Sequence, residues 1–520
     1  MPKQASTAST SKKILLFFPS PLPYERNWHG VPLALLAISR ILDQEGYDIK
    51  IYTRYLQKNY EREILKNGQN AICLGISAMT GFQIFDGLKL ARKFKKKYPQ
   101  VPIVWGGWHP SILPLQTIKD PCVDIIVKGQ GDITFTKLVH ALQNQQDLQK
   151  INGIVYKKGE KIMITPERGP VDLSLVPHLP YHLVDVKSCT IPTEYGLRTA
   201  PYISSYGCPH RCAFCVEEIV NKRSWKGVPA LTVVNEWENL YRTYGADSIA
   251  VYDSNFFVDE NRVKLICQEV INRKLPIKWG NANGRAGQLS RYRPETWELM
   301  EQSGCTMILT GAESGDQKSL DFISKDMNVE EIVKFTQLCH QHHIKILYSF
   351  LVGLPWSNQP QENDQFVATE YRSTLGLIDR LLKICNRNRY TYYVFLPYPG
   401  ASLYNRALKL GLRAPQSFSQ WTSYLMSPEN AFEETVRQQW ISQKDARMTA
   451  MLTQYIFGIM DRDTYTMLYP RLTNLFSRVL FTIGYYTALI VVSLRWKYKY
   501  FGLPFDYWLF SLVHQYGGII

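Results

Sequence analysis

The chain has 520 residues, 45% of them hydrophobic and 20% charged, an ordinary globular composition with room for about three domains at ~100–200 residues each. Ten cysteines in so long a chain, seven of them scattered, exclude a secreted disulfide framework and point to a reducing, cytoplasmic compartment. A formal charge of +15 and a pI near 9.2 invite a nucleic-acid reading. The charge is dispersed, however. Its densest runs, Arg92-Lys-Phe-Lys-Lys-Lys97 and Arg495-Trp-Lys-Tyr-Lys499, read as a solvated helix face and an anionic-lipid contact.

Residues 1–13 are polar and Ser/Thr-rich and read as a disordered tail. The apolar run 14–18 stops at Pro19, so it is a buried strand and not a signal-peptide core. Helical spacing over 32–45 ends at Gly46; strands are expected at 48–52, 71–77, 103–105 and 124–127, with helices at 82–97 and from about 134 to 142. This alternation predicts an α/β domain over 14–150, a Rossmann-like doubly wound parallel sheet with ligands beyond the strands' carboxyl ends. Three strand ends are candidate contacts: Gly75-Ile-Ser-Ala-Met-Thr-Gly81, Gly106-Gly-Trp-His-Pro110 and Lys128-Gly-Gln-Gly-Asp132. Glycines there let backbone amides approach a ligand, although turn glycines alone explain them equally well.

Residues 151–200 read as a linker, with a hairpin-like stretch over 153–156 and 161–165 and prolines at 166, 170, 177 and 180. His182, Asp185 and Cys189 are expected to be structural. From 201 to 410 strand and helix alternate again, and the run Ile203 to Tyr206 is expected to be the first strand, feeding a loop with three cysteines in eight residues, Cys208, Cys212 and Cys215. Thiolates are the usual ligands of iron–sulfur clusters, and a cube normally takes four. Three leave one iron open to a substrate. A zinc site with His210 as fourth ligand is the alternative, although such sites favour paired C-x-x-C spacing.

Cys208-x-x-x-Cys212-x-x-Cys215, with Phe214 before the last cysteine, resembles the signature of the radical S-adenosylmethionine enzymes. The preceding strand ends, with Pro19-Ser-Pro21, look like the cobalamin-binding domain found ahead of the barrel in the class that includes anaerobic magnesium-protoporphyrin monomethyl ester cyclase. The resemblance implies a [4Fe–4S] cluster on the three cysteines, S-adenosylmethionine on its open iron, and a partial six-stranded TIM-like (β/α) barrel. For S-adenosylmethionine it implies Phe214; Asp253, Ser254 and Asn255 after the second strand; Arg285 after the third; Glu313 and Ser314 after the fourth; Gly353 in Gly353-Leu-Pro355 after the fifth; and Pro397 after the last. For cobalamin it implies Pro19, Ser20, Ser77, Thr80, Gly106, Gly107, Trp108, His109, Gly129, Gln130 and Gly131. Two departures stand out. The D-x-H-x-x-G box that supplies a cobalt-ligating histidine is missing, so neither His29 nor His109 is assigned as an axial ligand. The acid that often follows the Gly-Leu-Pro turn is not found in Trp356-Ser-Asn358. Tyr252, Tyr348 and Tyr393 are expected to be core aromatics.

Residues 411–520 read as a helical, aromatic region that contacts substrate or membrane. The uncharged run 479–494, flanked by Arg478 and Arg495-Trp496-Lys497, suits a buried cap helix or an interfacial helix better than a spanning one. The expected activity is methyl transfer to an unactivated carbon of an apolar or lipid-like metabolite through a 5′-deoxyadenosyl radical. A flavodoxin or ferredoxin would donate electrons, and the protein would touch the inner face of a membrane peripherally. Within the same chemistry the alternative is a cyclase or oxidative rearrangement of a tetrapyrrole-like ring. From another class it is a non-catalytic metal-cluster protein that binds nucleic acid.

Overall fold

A computed structural model describes residues 12–20, 30–424, 440–461 and 474–501, with Tyr465, Tyr469, Asp506 and Tyr507. Most of the expected tail, and His29 and Pro21, lie outside the described residues. The first sheet runs through β1 (Lys13–Phe18), β2 (Asp48–Thr53), β3 (Cys73–Ser77), β4 (Ile103–Gly106) and β5 (Ile125–Val127), then β6 (Ile154–Lys158) and β7 (Lys161–Ile164). Its order is β2-β1-β3-β4-β5-β6-β7. The first five strands are parallel, and they are nearly continuous apolar runs because helices cover both faces. Order reverses between β1 and β3, the switch point where such sheets open a crevice. The hairpin expected in the linker is β6 and β7. Ile125 to Val127 pair antiparallel with Ile154 to Tyr156, so those residues extend the first sheet and are not connecting chain.

The second half is an open barrel: β8 (Ile191–Thr193), β9 (Gly196–Tyr202), β12 (Ser248–Val251), β13 (Lys278–Gly280), β14 (Ala282–Asn283), β15 (Met307–Glu313), β16 (Lys345–Val352) and β17 (Arg389–Val394), with a separate pair β10 (Ser205–Gly207) and β11 (Trp225–Gly227). The first barrel strand is β9, which pairs parallel with β12. The stretch expected to be that strand is instead β10, paired antiparallel with β11. The correction has a local cause: Gly207 takes φ +86, and the Cβ of any other residue would lie 2.0 Å from the Ser224 carbonyl oxygen. The hairpin thus clamps both ends of the cysteine loop. The third strand is split into β13 and β14 at Asn281, which has φ +56.

At the foot of the barrel Glu194, Lys345, Arg389 and Asp461 form a partly buried four-charge knot, with Arg389 Nη1 3.1 Å from Glu194 and Nε 2.7 Å from Asp461. Asp461 follows the helix Gly458–Met460, so the C-terminal region closes this end. That region also ties the two halves together. Phe418 and Trp421 pack their rings on His109 of the first domain, each 5.4 Å away, Trp421 Nε1 donates to Gln116 Oε1 at 2.5 Å, and the Tyr424 hydroxyl donates to the Pro397 carbonyl at the end of the barrel. The last long helix, Leu475–Tyr498, is not the buried cap that was one of the two expectations. Leu475, Val479, Ile483, Tyr486, Ile490, Leu494 and Tyr498 recur every three or four residues, and each is at least half exposed.

His109 is 1% exposed, shares a hydrogen bond with Thr80 at 2.9 Å, and burial pushes it down to about 3. It is therefore neutral when folded and titrates near 6.5 when unfolded, so it binds fewer protons folded and its contribution to stability is lost as pH falls from about 6.5 toward 3. The apparent melting temperature of the wild type should drop more between pH 7.5 and pH 5.5 than that of His109→Phe. Equal drops would remove His109 from the acid response.

Candidate functional site

The site is built where the two halves face one another. The cysteine loop leaves β10 with Cys208, Cys212 and Cys215 all partly exposed and unpaired with one another, and the Cys215 amide donates to the Cys212 carbonyl at 3.0 Å, curling the loop. Burial pushes the Cys215 thiol up to about 12 and the Cys208 thiol up as well, so a bound metal's charge is what would make them thiolates. Among the described residues no three His, Cys, Asp or Glu side chains converge on a single-ion position. A cube asks for less convergence, since each thiolate binds its own iron. Positive charge is at hand. Arg285 is 7% exposed with Nη1 3.4 Å from Cys212 Sγ, and its buried Nη2 has no partner. That orphaned donor fits a carboxylate or cluster sulfide that the loop would hold.

Next to it lies a residue that sequence reasoning missed. Lys325, 6% exposed, puts Nζ 2.7 Å from Glu313 Oε1 and 5.6 Å from the centre of the Phe214 ring. Burial opposes its charge, but Glu313 and Cys212 more than compensate, and its pKa stands raised. Glu313 takes φ +61 at the end of β15, an αL conformation costly for a side chain with a Cβ, and the ion pair helps hold it there. Ser314 Oγ accepts the Asp316 amide at 3.1 Å, starting the next helix.

The remaining expected contacts divide. Asp253 is 3% exposed and its carboxylate accepts from Ser204 N (2.6 Å), Ser204 Oγ (2.6 Å) and Ser205 Oγ (2.5 Å). It joins the end of β12 to the entry of the cysteine hairpin and positions that loop. Ser254 hydrogen-bonds Glu217, a second missed residue two positions after Cys215, which burial pushes up and which also accepts from Asn221 at 2.6 Å. Asn255 is buried and caps its own turn through Phe257 N at 3.2 Å. Gly353 takes φ +74, its amide donates to Glu370 at 3.1 Å, and its carbonyl accepts from Trp440 Nε1 at 2.9 Å.

A cavity of about 730 Å³ runs between the first sheet and the barrel lumen. Ser77, Gly106, Gly107, Trp108, Gly129, Gln130 and Gly131 line it from the first domain, while Pro201, Ile203, Tyr206, Tyr252 and Met307 line it from the barrel. Pro19, Ser20, Thr80 and His109, expected at the cobalamin contact, sit behind this wall. The Pro19 carbonyl accepts from Gln83 at 3.0 Å, the Ser20 amide donates to Asp86 at 3.0 Å, and Thr80 and His109 bond each other. The wall includes no histidine among the described residues. Gly107 has φ +91, and a Cβ there would come within 2.9 Å of the Ala78 carbonyl oxygen. Bare backbone therefore faces the cavity, which fits a large ligand laid against the strand ends. Tyr252, expected in the core, is 53% exposed on this wall, whereas Tyr348 is fully buried and bonds Thr336 at 2.6 Å.

Lys325→Met would leave the Glu313 carboxylate buried and unpaired, which typically costs about 3–5 kcal/mol. We expect that variant to lose S-adenosylmethionine binding and to melt earlier, and the double variant Lys325→Met/Glu313→Gln to recover much of the melting temperature without the binding. Equilibrium dialysis and calorimetry on reconstituted protein measure both; a Lys325→Met protein that binds like wild type would contradict the assignment.

A family model described as "B12 binding domain" matches residues 26–139, and one described as "Radical SAM superfamily" matches 202–364. An uncharacterized methyltransferase of Pyrococcus horikoshii is 25% identical over 397 residues, 76% of this chain and 82% of the relative. The anaerobic magnesium-protoporphyrin IX monomethyl ester cyclase of Synechocystis is 26% identical over 326 residues, 62% of this chain and 64% of the relative. The cobalamin-dependent S-adenosylmethionine radical enzyme OxsB, solved with aqua-cobalamin and S-adenosylmethionine, shares the fold at TM-score 0.66 and 14% identity, covering 97% of this chain and 75% of that one. With the cysteine loop and the cavity between its two halves, the chain belongs to the cobalamin-binding radical S-adenosylmethionine enzymes.

Proposed function

We propose that the protein is a cobalamin-dependent radical S-adenosylmethionine methyltransferase that methylates an unactivated carbon of an apolar, lipid-like metabolite. The observation that carries this reading is the cavity that runs between the strand ends of the first sheet and the barrel lumen. When bound, the cofactors supply a 5′-deoxyadenosyl radical and a transferable methyl group, the hard chemistry of the reaction.

The chain's own residues hold and screen that chemistry. Cys208, Cys212 and Cys215 would hold a [4Fe–4S] cluster, with Arg285 and the Lys325–Glu313 pair setting the charge beside it. Ser77, Gly106, Gly107, Trp108, Gly129, Gln130 and Gly131 would receive cobalamin against bare backbone. Within the barrel Ile203, Ala250, Met307 and Leu347 give the cavity an apolar wall that favours an apolar substrate. The charge knot of Glu194, Lys345, Arg389 and Asp461 seals the far end.

The helix Leu475–Tyr498 supports a membrane-surface workplace. Its stretch Ser477–Tyr498 is long and apolar enough to cross a bilayer by length and composition. Its other face, however, is bound to the barrel region: the Tyr485 hydroxyl donates to the Ile459 carbonyl at 3.0 Å, Trp496 packs edge-on to Phe457, and Lys499 pairs with Asp379 at 2.9 Å. A helix held along its length against a globular body lies flat on a membrane with its apolar stripe down. Arg478 and Lys497 flank that stripe, as contact with anionic lipid requires. Co-sedimentation with anionic phospholipid vesicles should fall several-fold in Ile483→Ser/Ile490→Ser, each serine removing about 1.5–3 kcal/mol of apolar burial. Unchanged sedimentation would set this surface aside.

Reconstituted protein given a one-electron reductant, cobalamin, a lipid extract and S-adenosylmethionine labelled in its methyl group should form 5′-deoxyadenosine and S-adenosylhomocysteine, with label in a lipid product. The Cys208→Ala/Cys212→Ala/Cys215→Ala variant should form none of these. A wild-type product without label would replace methyl transfer with the cyclase or rearrangement reading.

A further inference from the structure

The Gly353-Leu-Pro355 turn lacks an acid in the positions directly after it, where Trp356, Ser357 and Asn358 stand. The fold brings one from elsewhere. Glu370, in the middle of the long helix Pro360–Ile384, is 1% exposed. One carboxylate oxygen accepts the Gly353 amide at 3.1 Å; the other accepts Trp356 Nε1 at 3.0 Å and the Ser319 hydroxyl at 3.4 Å. Those three donors come from two barrel segments: Gly353 and Trp356 follow β16, and Ser319 lies on the helix Gln317–Phe322, which begins three residues after Ser314. A single buried carboxylate therefore ties together two strand ends that the family resemblance assigns to S-adenosylmethionine.

The rest of the turn is equally committed. Trp356 stacks between Phe322 at 4.1 Å and Phe366 at 4.6 Å. Arg406 donates to the Pro355 carbonyl at 2.5 Å and to that of Trp356. Trp440 donates to the Gly353 carbonyl, and a Cβ on Gly353 would meet Ile441 at 2.5 Å. Burying an acid this fully is costly, and Glu370 is pushed up to about 7 by that burial. A leucine would fill the same space without the penalty, so packing alone does not account for the residue. The Gly353 amide and the Trp356 indole are donors only, which an ionised carboxylate satisfies with one oxygen each and an amide does not.

We propose that Glu370 is a positioning residue for S-adenosylmethionine, holding the Gly353 turn against the strand end that carries Glu313 and Ser314. It rests on the functional reading above and touches no reacting atom. Glu370→Gln keeps the size but turns an NH₂ group toward one of these donors and leaves that buried donor unsatisfied.

The test is equilibrium binding of S-adenosylmethionine to the reconstituted holoenzyme, with iron and cobalamin content measured on the same samples. Glu370→Gln should weaken binding about tenfold or more at unchanged iron and cobalamin content. Trp356→Phe, which removes one donor and keeps the stacked ring, should weaken it less, and the double variant should be no worse than Glu370→Gln alone. Affinity within twofold of wild type in Glu370→Gln would overturn the proposal, as would fully additive effects in the double variant. Should Glu370→Gln lose both cofactors, Trp356→Phe decides alone: unchanged affinity overturns the proposal and weakened affinity at full cofactor content upholds it. A wild-type holoenzyme that fails to bind S-adenosylmethionine refutes the functional reading instead, a different outcome from a variant that matches a binding wild type.

Discussion

The structure depends on one constraint: the carboxyl ends of the first sheet face the barrel, and a cavity runs between the two. A parallel sheet places its loops at one end by construction, and the first domain presents Gly106, Gly107, Gly129 and Gly131 there, while the barrel presents Ile203, Tyr206 and Tyr252. Neither wall encloses a cofactor alone. The contacts that hold the halves in register are therefore part of the site. They include Arg40, which is paired with the buried Asp132 inside the first domain and donates to the Pro177 carbonyl in the connecting chain, and the aromatic strap of Phe418, Trp421 and Tyr424.

Charge in the barrel is arranged around the same demand. Among the described residues no acid is salt-bridged to the cysteine loop. It has Arg285 against Cys212, and beyond that the Lys325–Glu313 pair. The acids nearest the loop are neutralised or occupied: Asp253 by two serines and a backbone amide, Glu217 by Ser254 and Asn221. An anionic cluster with a carboxylate-bearing ligand needs such surroundings, because an uncompensated negative charge in a low-dielectric pocket is strongly disfavoured. Strain follows the same line, with Glu313 held at positive φ by its partner lysine.

The parts legible in the sequence were those encoded by local spacing. The three cysteines, the strand and helix alternation and the glycines at strand ends each lie within a few residues of what they do, and Phe82–Lys97 forms the helix its periodicity predicts. What escaped was set through space. Lys325 is twelve residues from Glu313, and Glu370 is seventeen from Gly353, in each case across a helix whose pattern announces only its own core face. For Asp253 the chain position suggests a ligand contact, and the structure adds that two preceding serines bond its oxygens. The Ile203–Tyr206 stretch directly precedes the cysteine loop, where a barrel strand is expected, yet the close approach at Gly207 turns its end into a hairpin with β11.

The proposal that both cofactors sit close together where the two halves meet is tested most directly by electron paramagnetic resonance on anaerobic holoenzyme carrying Co(II) cobalamin and a reduced cluster. The account predicts resolvable dipolar coupling between the two paramagnets, lost when Cys208, Cys212 and Cys215 are replaced by alanine while the cobalt signal persists. Full occupancy of both centres with no coupling would place them in separate sites and contradict it.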